Sequence, residues 1–352
     1  MLCDQTPSTD CILSKKKRVT LADVARLAGL STSAASMILT GRPDTRLSPE
    51  AHARVHEAAA TLGYRPNAAA RALRTDKTQT LAFISDHIAT TRFASGLIRG
   101  ALAESEAAKQ VMLVLETHGD PALETRAIDE AIDRQVDGII FAAMRSREVF
   151  LPEISANMPM VMLNGTSKQC PTAILPDEFN GGRAAVRLLA EAGFSEGLVL
   201  VGHNADVEEG LFRSETVIRR LDGIRTEMAE RSLSFDDELS SWNWEPENGY
   251  KLVKKYLKHE RPKALLCLND RLAFGAYQAL AEAGLSIPDD TSIVSFDNDE
   301  LASYLRPGLT TIALPHETMG REAVRMLLDA KADAGAQLVE MEAVVRGSVR
   351  DA

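Results

Sequence analysis

From Thr80 onward the chain alternates short apolar runs with amphipathic helical stretches, and this rhythm restricts the fold more than any other feature. The runs are Leu81 to Ser85, Val111 to Leu115, Gly138 to Ala142, Met160 to Leu163, Leu198 to Val201, Ala264 to Leu268 and Ile293 to Phe296. Apolar strands separated by helices belong to parallel sheets, because the crossover helices cover both faces and leave no face for water. There are too many strands for one comfortable sheet. Two lobes are expected, dividing near Pro176, with a return to the first lobe around Pro307 to Leu314 and a last strand near Met341 to Val345. A chain of 352 residues, 45% of them hydrophobic, has material for more than one domain and a substantial core. No stretch approaches the apolar length of a membrane span, and no short-period repeat or low-complexity segment interrupts the pattern.

The first quarter of the chain follows a different period. Leu21, Val24, Ala25 and Ala28 recur at helical spacing behind Thr20, a residue suited to cap the helix, and Asp23 completes a capping-box-like start. Gly29 can take the left-handed conformation that ends this helix, and Leu30 fills the corner. Ser31 caps a second helix from about Thr32 to Leu39, with Ala35, Ile38 and Leu39 inward and Thr32, Ser33, Ser36 and Met37 outward. Ser48 caps a third, with Pro49 in its first turn, where the missing N–H costs nothing. Val55, Ala59 and Leu62 close a small core. Two short helices broken at a glycine and followed by a third make a helix-turn-helix, whose second helix can lie in the major groove of DNA. The charge agrees: residues 1–76 carry 11 Lys and Arg against 7 Asp and Glu, while the whole chain has a net charge of −10. A cationic end on an acidic body suits phosphate contacts made by that end alone.

The run from Val19 to Leu73 resembles the lactose/galactose repressor family. Val19-Thr20-Leu21-Ala22-Asp23-Val24-Ala25 opens as that family does, and Gly29-Leu30-Ser31 leads into its recognition helix. Leu62-Gly63-Tyr64-Arg65-Pro66-Asn67, followed by Ala68 to Leu73, matches its hinge helix. The resemblance implies an all-α helix-turn-helix domain at 19–65, a hinge helix and linker at 66–77, and a two-lobed α/β core at 78–350 resembling periplasmic binding proteins. Lobe one is expected at about 78–176 and 308–337, and lobe two at about 177–307 and 338–350. It further implies a homodimer on a pseudopalindromic duplex operator, repressing transcription under control of a small-molecule effector, often a sugar. The DNA contacts carried over are Thr20, Ser31, Thr32, Ser33, Ser36, Met37, Asn67, Ala70 and Leu73. Leu73 matches the leucine that wedges between base pairs in the minor groove. One departure stands out. Where the family usually has Thr-Val-Ser-Arg, this chain has Ala34-Ala35-Ser36-Met37, and methionine cannot make the forked contact to guanine that arginine makes.

In open α/β sheets ligands sit beyond the carboxyl ends of the strands. Those ends supply Asn269-Asp270 and Asp297-Asn298-Asp299. Arg220, before Leu221-Asp222-Gly223, resembles the family's ligand-binding arginine, and Trp244 stands where the family places an aromatic platform, with Trp242 close by. Asp86, Phe93 and Arg145 are the first-lobe candidates. Asp297 can accept hydroxyl protons, Asn269 can donate and accept, Arg220 offers a fork and Trp244 a stacking face. The same residues have plainer roles open to them: Asn269 and Asp297 as helix caps, Arg220 as partner of a nearby acid, and Trp244 as core.

Other functions find little support. The chain has no dinucleotide fingerprint, phosphate loop, nucleophile elbow or zinc-binding helix signature, so neither an enzyme nor a cofactor is expected. Cys3, Cys11, Cys170 and Cys267 lack metal-ligand spacing and fit a reducing compartment. His52 and His56 lack a third ligand and His316-Glu317 lacks a second histidine, so no metal site is expected either. The alternative is a sugar-binding receptor without DNA function. The fused DNA module weighs against it, as do the first 18 residues, which end in Lys15-Lys16-Lys17-Arg18 and read as a disordered basic arm rather than a secretory signal. A cytoplasmic location follows from that reading.

Overall fold

The computed structural model describes residues 19–41, 47–65, 67, 72–73, 75, 77–88, 93–144, 148–152, 158–203, 214–329 and 335–351, the side chains of Phe93, Ala94 and Glu215 excepted. The chain divides into two compact units, Met1–Thr78 and Gln79–Ala352.

In the first unit α1 (Leu21–Ala28), α2 (Thr32–Leu39) and α3 (Pro49–Leu62) are set by their ends. The Thr20 N–H donates to Asp23 Oδ2 at 3.0 Å and the Asp23 N–H to Thr20 Oγ1 at 3.4 Å, closing the capping box. Gly29 ends α1 at φ 68°, a conformation costly for any residue with a Cβ. The Ala34 N–H donates to Ser31 Oγ (3.1 Å) and the Ala51 N–H to Ser48 Oγ (3.3 Å). Val24, Ala25, Ala28, Ala35, Ile38, Ala51, Val55, Ala58 and Ala59 form the core, and Ala34 is also buried. The basic arm at 1–18 and most of the expected hinge helix lie outside the described residues. Within the hinge stretch Ala72, Leu73 and Thr75 are helical.

The second unit holds two six-stranded sheets. The first is built from β1 (Thr80–Ser85), β2 (Val111–Glu116), β3 (Gly138–Ala142), β4 (Met160–Leu163), β5 (Ala173–Pro176) and β11 (Ala336–Val339), in the order β11-β5-β4-β3-β1-β2. The second contains β6 (Leu198–His203), β7 (Asp237–Ser240), β8 (Ala264–Cys267), β9 (Ser292–Asp297), β10 (Thr310–Ala313) and β12 (Ala343–Val344), in the order β12-β10-β9-β8-β6-β7. All the pairings are parallel except β10 with β12. In the first sheet the period-2 alternation divides the core in two. Leu81, Phe83, Ile140 and Val161 pack on one face with α4 (Phe93–Ala107) and α11 (His316–Leu328), and Ala82, Ile84, Ile139 and Phe141 on the other with α5 (Pro121–Asp133). Lobe two is covered by α6 (Glu178–Glu191), α7 (Glu215–Glu230), α8 (Pro246–Tyr256), α9 (Asp270–Glu282) and the short α10 (Glu300–Tyr304).

Two expectations need correction. The segment from 308 does not return to lobe one: β10 pairs with β9, Thr310 opposite Val294, so the crossing falls after Ala313. The last strand of lobe one runs to Val339 rather than 337, because β11 adds to β5 with Val339 opposite Pro176. The chain therefore passes between lobes at Pro176–Asp177, at Leu314–Pro315 and between Val339 and Met341. The first two of these crossings leave the carboxyl end of a strand and enter the first turn of a helix, and such helices begin at the carboxyl edge of their sheet. The carboxyl edges of both sheets therefore meet at the junction between lobes, where ligands of such folds sit.

Candidate functional site

Helix α2 offers the first candidate surface. Thr32 and Ser33 are exposed and Ser36 and Met37 half-buried, on the side away from Ala34, Ala35 and Ile38. Small hydroxyl side chains let a helix come close to phosphates and base edges. Thr20 and Ser31 are also exposed, but their hydroxyls are engaged at the starts of α1 and α2, where Thr20 Oγ1 donates to Asp23 Oδ2 at 2.7 Å. Asn67 is exposed and Leu73 is 90% exposed. Ala70 lies outside the described residues.

The second candidate lies at the carboxyl edge of lobe two. Its centre is Arg220 on α7, which is 3% exposed. Its guanidinium donates from Nε and Nη2 to the two oxygens of Glu178 (2.7 Å each) and from Nη1 to the Leu268 carbonyl (2.6 Å). The guanidinium lies over the Phe296 ring at 4.3 Å, and Asp297 Oδ1 is 3.9 Å away. Glu178, at the start of α6, was not foreseen. Its place depends on how closely α6 and α7 approach: a Cβ on Gly182 would fall 2.3 Å from the Arg220 carbonyl oxygen, and one on Gly223 2.0 Å from that of Phe179. Only glycines permit this contact, and it delivers Glu178 to Arg220.

Around that pair the acids crowd. Burial pushes Asp297 well above the usual carboxylate range; Arg220 pulls it down, and the charges of Asp270 and Glu178 push it up. Burial likewise raises Asp270 to about 6, although Ser295 and Thr311 hydroxyls and the Asp299 N–H donate to it. Asp270 thus ties β9, β10 and the start of α10 together. Asp297 sits at φ 107°, a backbone conformation that favours glycine and is costly for an aspartate. The surrounding hydrogen bonds and packing hold this strained backbone at the carboxyl end of β9.

Asn269 and Trp244 meet at the switch point between β6 and β8. Asn269 is spent on structure: its Oδ1 accepts the Leu272 N–H (2.8 Å), capping α9, and its Nδ2 donates to the Trp244 carbonyl (3.2 Å). The Trp244 indole N–H donates to the Gly202 carbonyl (2.8 Å) and the ring packs on the lobe-two core. Trp242 is 81% exposed. In lobe one, buried Asp86 accepts the N–H groups of His87 (2.9 Å) and Met144 (2.8 Å), lacing the end of β1 to that of β3. Arg145 and the Phe93 side chain lie outside the described residues.

Residues 20–67 match the profile of the lacI family of bacterial regulatory proteins, and residues 181–349 that of a periplasmic binding protein-like domain. The HTH-type transcriptional repressor PurR of Actinobacillus pleuropneumoniae is 31% identical over 347 residues, covering 94% of this chain and 98% of its own length. The ribose operon repressor of Escherichia coli is 29% identical over 316 residues, covering 88% of this chain and 92% of its own. Among solved structures, the lac repressor dimer bound to operator and the anti-inducer ONPF has a TM-score of 0.76 at 22% identity, covering 95% of this chain and 99% of its own. The transcriptional regulator CelR in complex with cellobiose has a TM-score of 0.60 at 21% identity, covering 94% and 100%. These two likenesses concern the fold.

Proposed function

The chain belongs to the lacI family of bacterial regulatory proteins, and on that premise we propose that it is a repressor of transcription, binding duplex DNA as a homodimer under control of a small molecule held between its lobes. The observation that carries this reading is the exposed hydroxyl face of α2, on a capped helix-turn-helix joined in one chain to a two-lobed core. The two-fold symmetry of a dimer calls for a pseudopalindromic operator. The protein has no enzymatic role in this reading and works in the cytoplasm. No helix among the described residues is long and apolar enough to cross a membrane.

The effector is a neutral, hydroxyl-rich molecule, a sugar. Its contacts centre on Arg220 and Asp297, with Trp244 as a wall and Phe93 and Arg145 from lobe one. The charge at the lobe-two edge argues for neutrality: the buried Arg220 guanidinium already faces Glu178, Asp297 and Asp270, so an anion beside it would meet carboxylates. The ribose repressor and the cellobiose complex among the similar proteins point the same way. Control requires that the effector prefer one arrangement of the lobes.

Two measurements test the reading. Genomic fragments are offered to the full chain at about 50 and about 200 mM salt, where phosphate contacts should weaken binding steeply. Sugars that raise its melting temperature should then change that binding. A chain that retains no fragment, with or without sugars, is not a repressor. Leu73→Ala should weaken operator binding about tenfold or more and reduce DNA bending while effector affinity stays constant, because an exposed leucine wedge acts only on the duplex; unchanged affinity and bend would remove Leu73 from the interface.

A further inference from the structure

β1 and β2 run parallel with Ser85 opposite Glu116. The ladder continues one step further, where the Thr117 N–H donates to the Ser85 carbonyl at 2.9 Å. Two residues beyond this pair stand His87 on one strand end and His118 on the other. Glu116 ends β2, His118 follows in a turn at positive φ, and the register brings His87 beside them. One ligand atom from each of His87, Glu116 and His118 lies within 4.8 Å of the others, the one such group among the described residues.

The cluster has the marks of an arranged donor set. Glu116 is oriented by the Ile88 N–H, which donates to its Oε1 at 2.9 Å, and His118 Nδ1 is 3.6 Å from that oxygen. An outer hydrogen bond of this kind aims a carboxylate. His118 and Gly119 both have positive φ, 55° and 71°, so the loop folds back over the end of β1. A Cβ on Gly119 would lie 3.8 Å from His87 Nε2.

We propose that His87, Glu116 and His118 bind a divalent transition-metal ion of the zinc class at the lobe-one edge of the junction. Two imidazole nitrogens and one carboxylate oxygen suit such ions and not calcium or magnesium, which take oxygen donors. With metal–ligand bonds of about 2.0–2.2 Å, three donors close to about 3.5 Å of one another, a contraction that exposed His118 can make by side-chain rotation. One coordination position stays open for water or for a hydroxyl of a ligand in the cleft. The ion would also tie the loop after β1 to the loop after β2, beside Asp86.

The test uses the untagged full chain, stripped with chelator and titrated with zinc chloride by calorimetry and with cobalt(II) by visible absorption. One ion per chain is expected, with cobalt bands of nitrogen and oxygen coordination and no thiolate charge-transfer band. His118→Ala and His87→Ala should each weaken binding by at least about 100-fold, the upper end of what loss of a merely supporting group costs. The double variant His52→Ala/His56→Ala should bind as the parent does. Absence of stoichiometric binding, binding that survives His118→Ala, or a thiolate band would overturn the assignment.

Discussion

The two lobes share a strand order, each with its first strand one in from an edge and a last strand donated from the far end of the chain, yet their carboxyl edges differ in chemistry. Lobe two collects Glu178, Arg220, Asp270 and Asp297 in a buried, charge-dense cluster in which the guanidinium's three kinds of nitrogen are all engaged. Lobe one ends instead in Asp86, satisfied by backbone N–H groups, and in the half-exposed set of His87, Glu116 and His118. One scaffold thus carries a low-dielectric edge, where each charge depends on its partner, beside a wet edge where side chains can turn. The consequence is an unequal response to substitution.

The largest expected effect is in lobe two. Glu178→Ala leaves the Arg220 guanidinium buried without its carboxylate and should cost about 3–5 kcal/mol. Both tryptophans, Trp242 and Trp244, belong to lobe two, so intrinsic fluorescence during urea unfolding reads that lobe directly. A cost below about 1 kcal/mol would mean that Arg220 has another anchor.

Next comes a pH effect. Asp270 titrates at about 6 in the folded chain against an ordinary 3.8, so between those values the folded state holds a proton that the unfolded state has released. Acidification from pH 7 to pH 4 should therefore stabilise the parent relative to Asp270→Asn, by roughly 1–3 kcal/mol. Acids remote from this edge titrate alike in both proteins and cancel, while Asp297, freed of the Asp270 charge in the variant, moves down and trims the difference. A pH-independent difference would place Asp270 in a polar rather than a desolvated setting.

Smaller still, Asp297→Gly relieves a φ of 107° and removes one acid from the crowded edge, and it should raise stability by about 1 kcal/mol. The same variant should lose its response to effector while still binding operator. Retained effector sensitivity would take Asp297 out of the ligand site. The smallest effect belongs to lobe one. His118→Ala should shift metal-free stability by less than about 0.5 kcal/mol, as expected of an exposed loop side chain, and should abolish the rise in melting temperature that zinc produces in the parent.

Legibility in the sequence followed the range of the interaction. The three-helix unit was readable almost to the residue, because Thr20, Gly29, Ser31 and Ser48 act on backbone groups three or four positions away. The central strands were readable for a similar reason: burial on both faces demands an unbroken apolar run, as in Gly138–Ala142. Three outer strands were not. Asp237–Ser240 and Ala336–Val339, at sheet edges, are largely exposed, and Ala173–Pro176, one in from an edge, is a four-residue strand ending in proline, so none carries a strong pattern. Thr310–Ala313 was noticed and assigned to the wrong lobe, since apolar character does not name a partner strand.

For the ligand edge, strand-end logic and family likeness singled out Arg220, Asp297, Asn269, Trp244 and Asp86 by residue type. Their hydrogen-bond partners came from far away in the chain: Glu178 stands 42 residues before Arg220, and Met144 stands 58 beyond Asp86. The histidine and glutamate group exists only through the β1–β2 register. Local chemistry thus wrote the helices, caps and apolar strands into the order of residues, because hydrogen bonds across one turn and burial of alternate side chains need only near neighbours. Folding in space chose which charges lie together, because a buried guanidinium or a metal donor set takes its partners from whatever the packed helices and paired strands bring within a few ångströms.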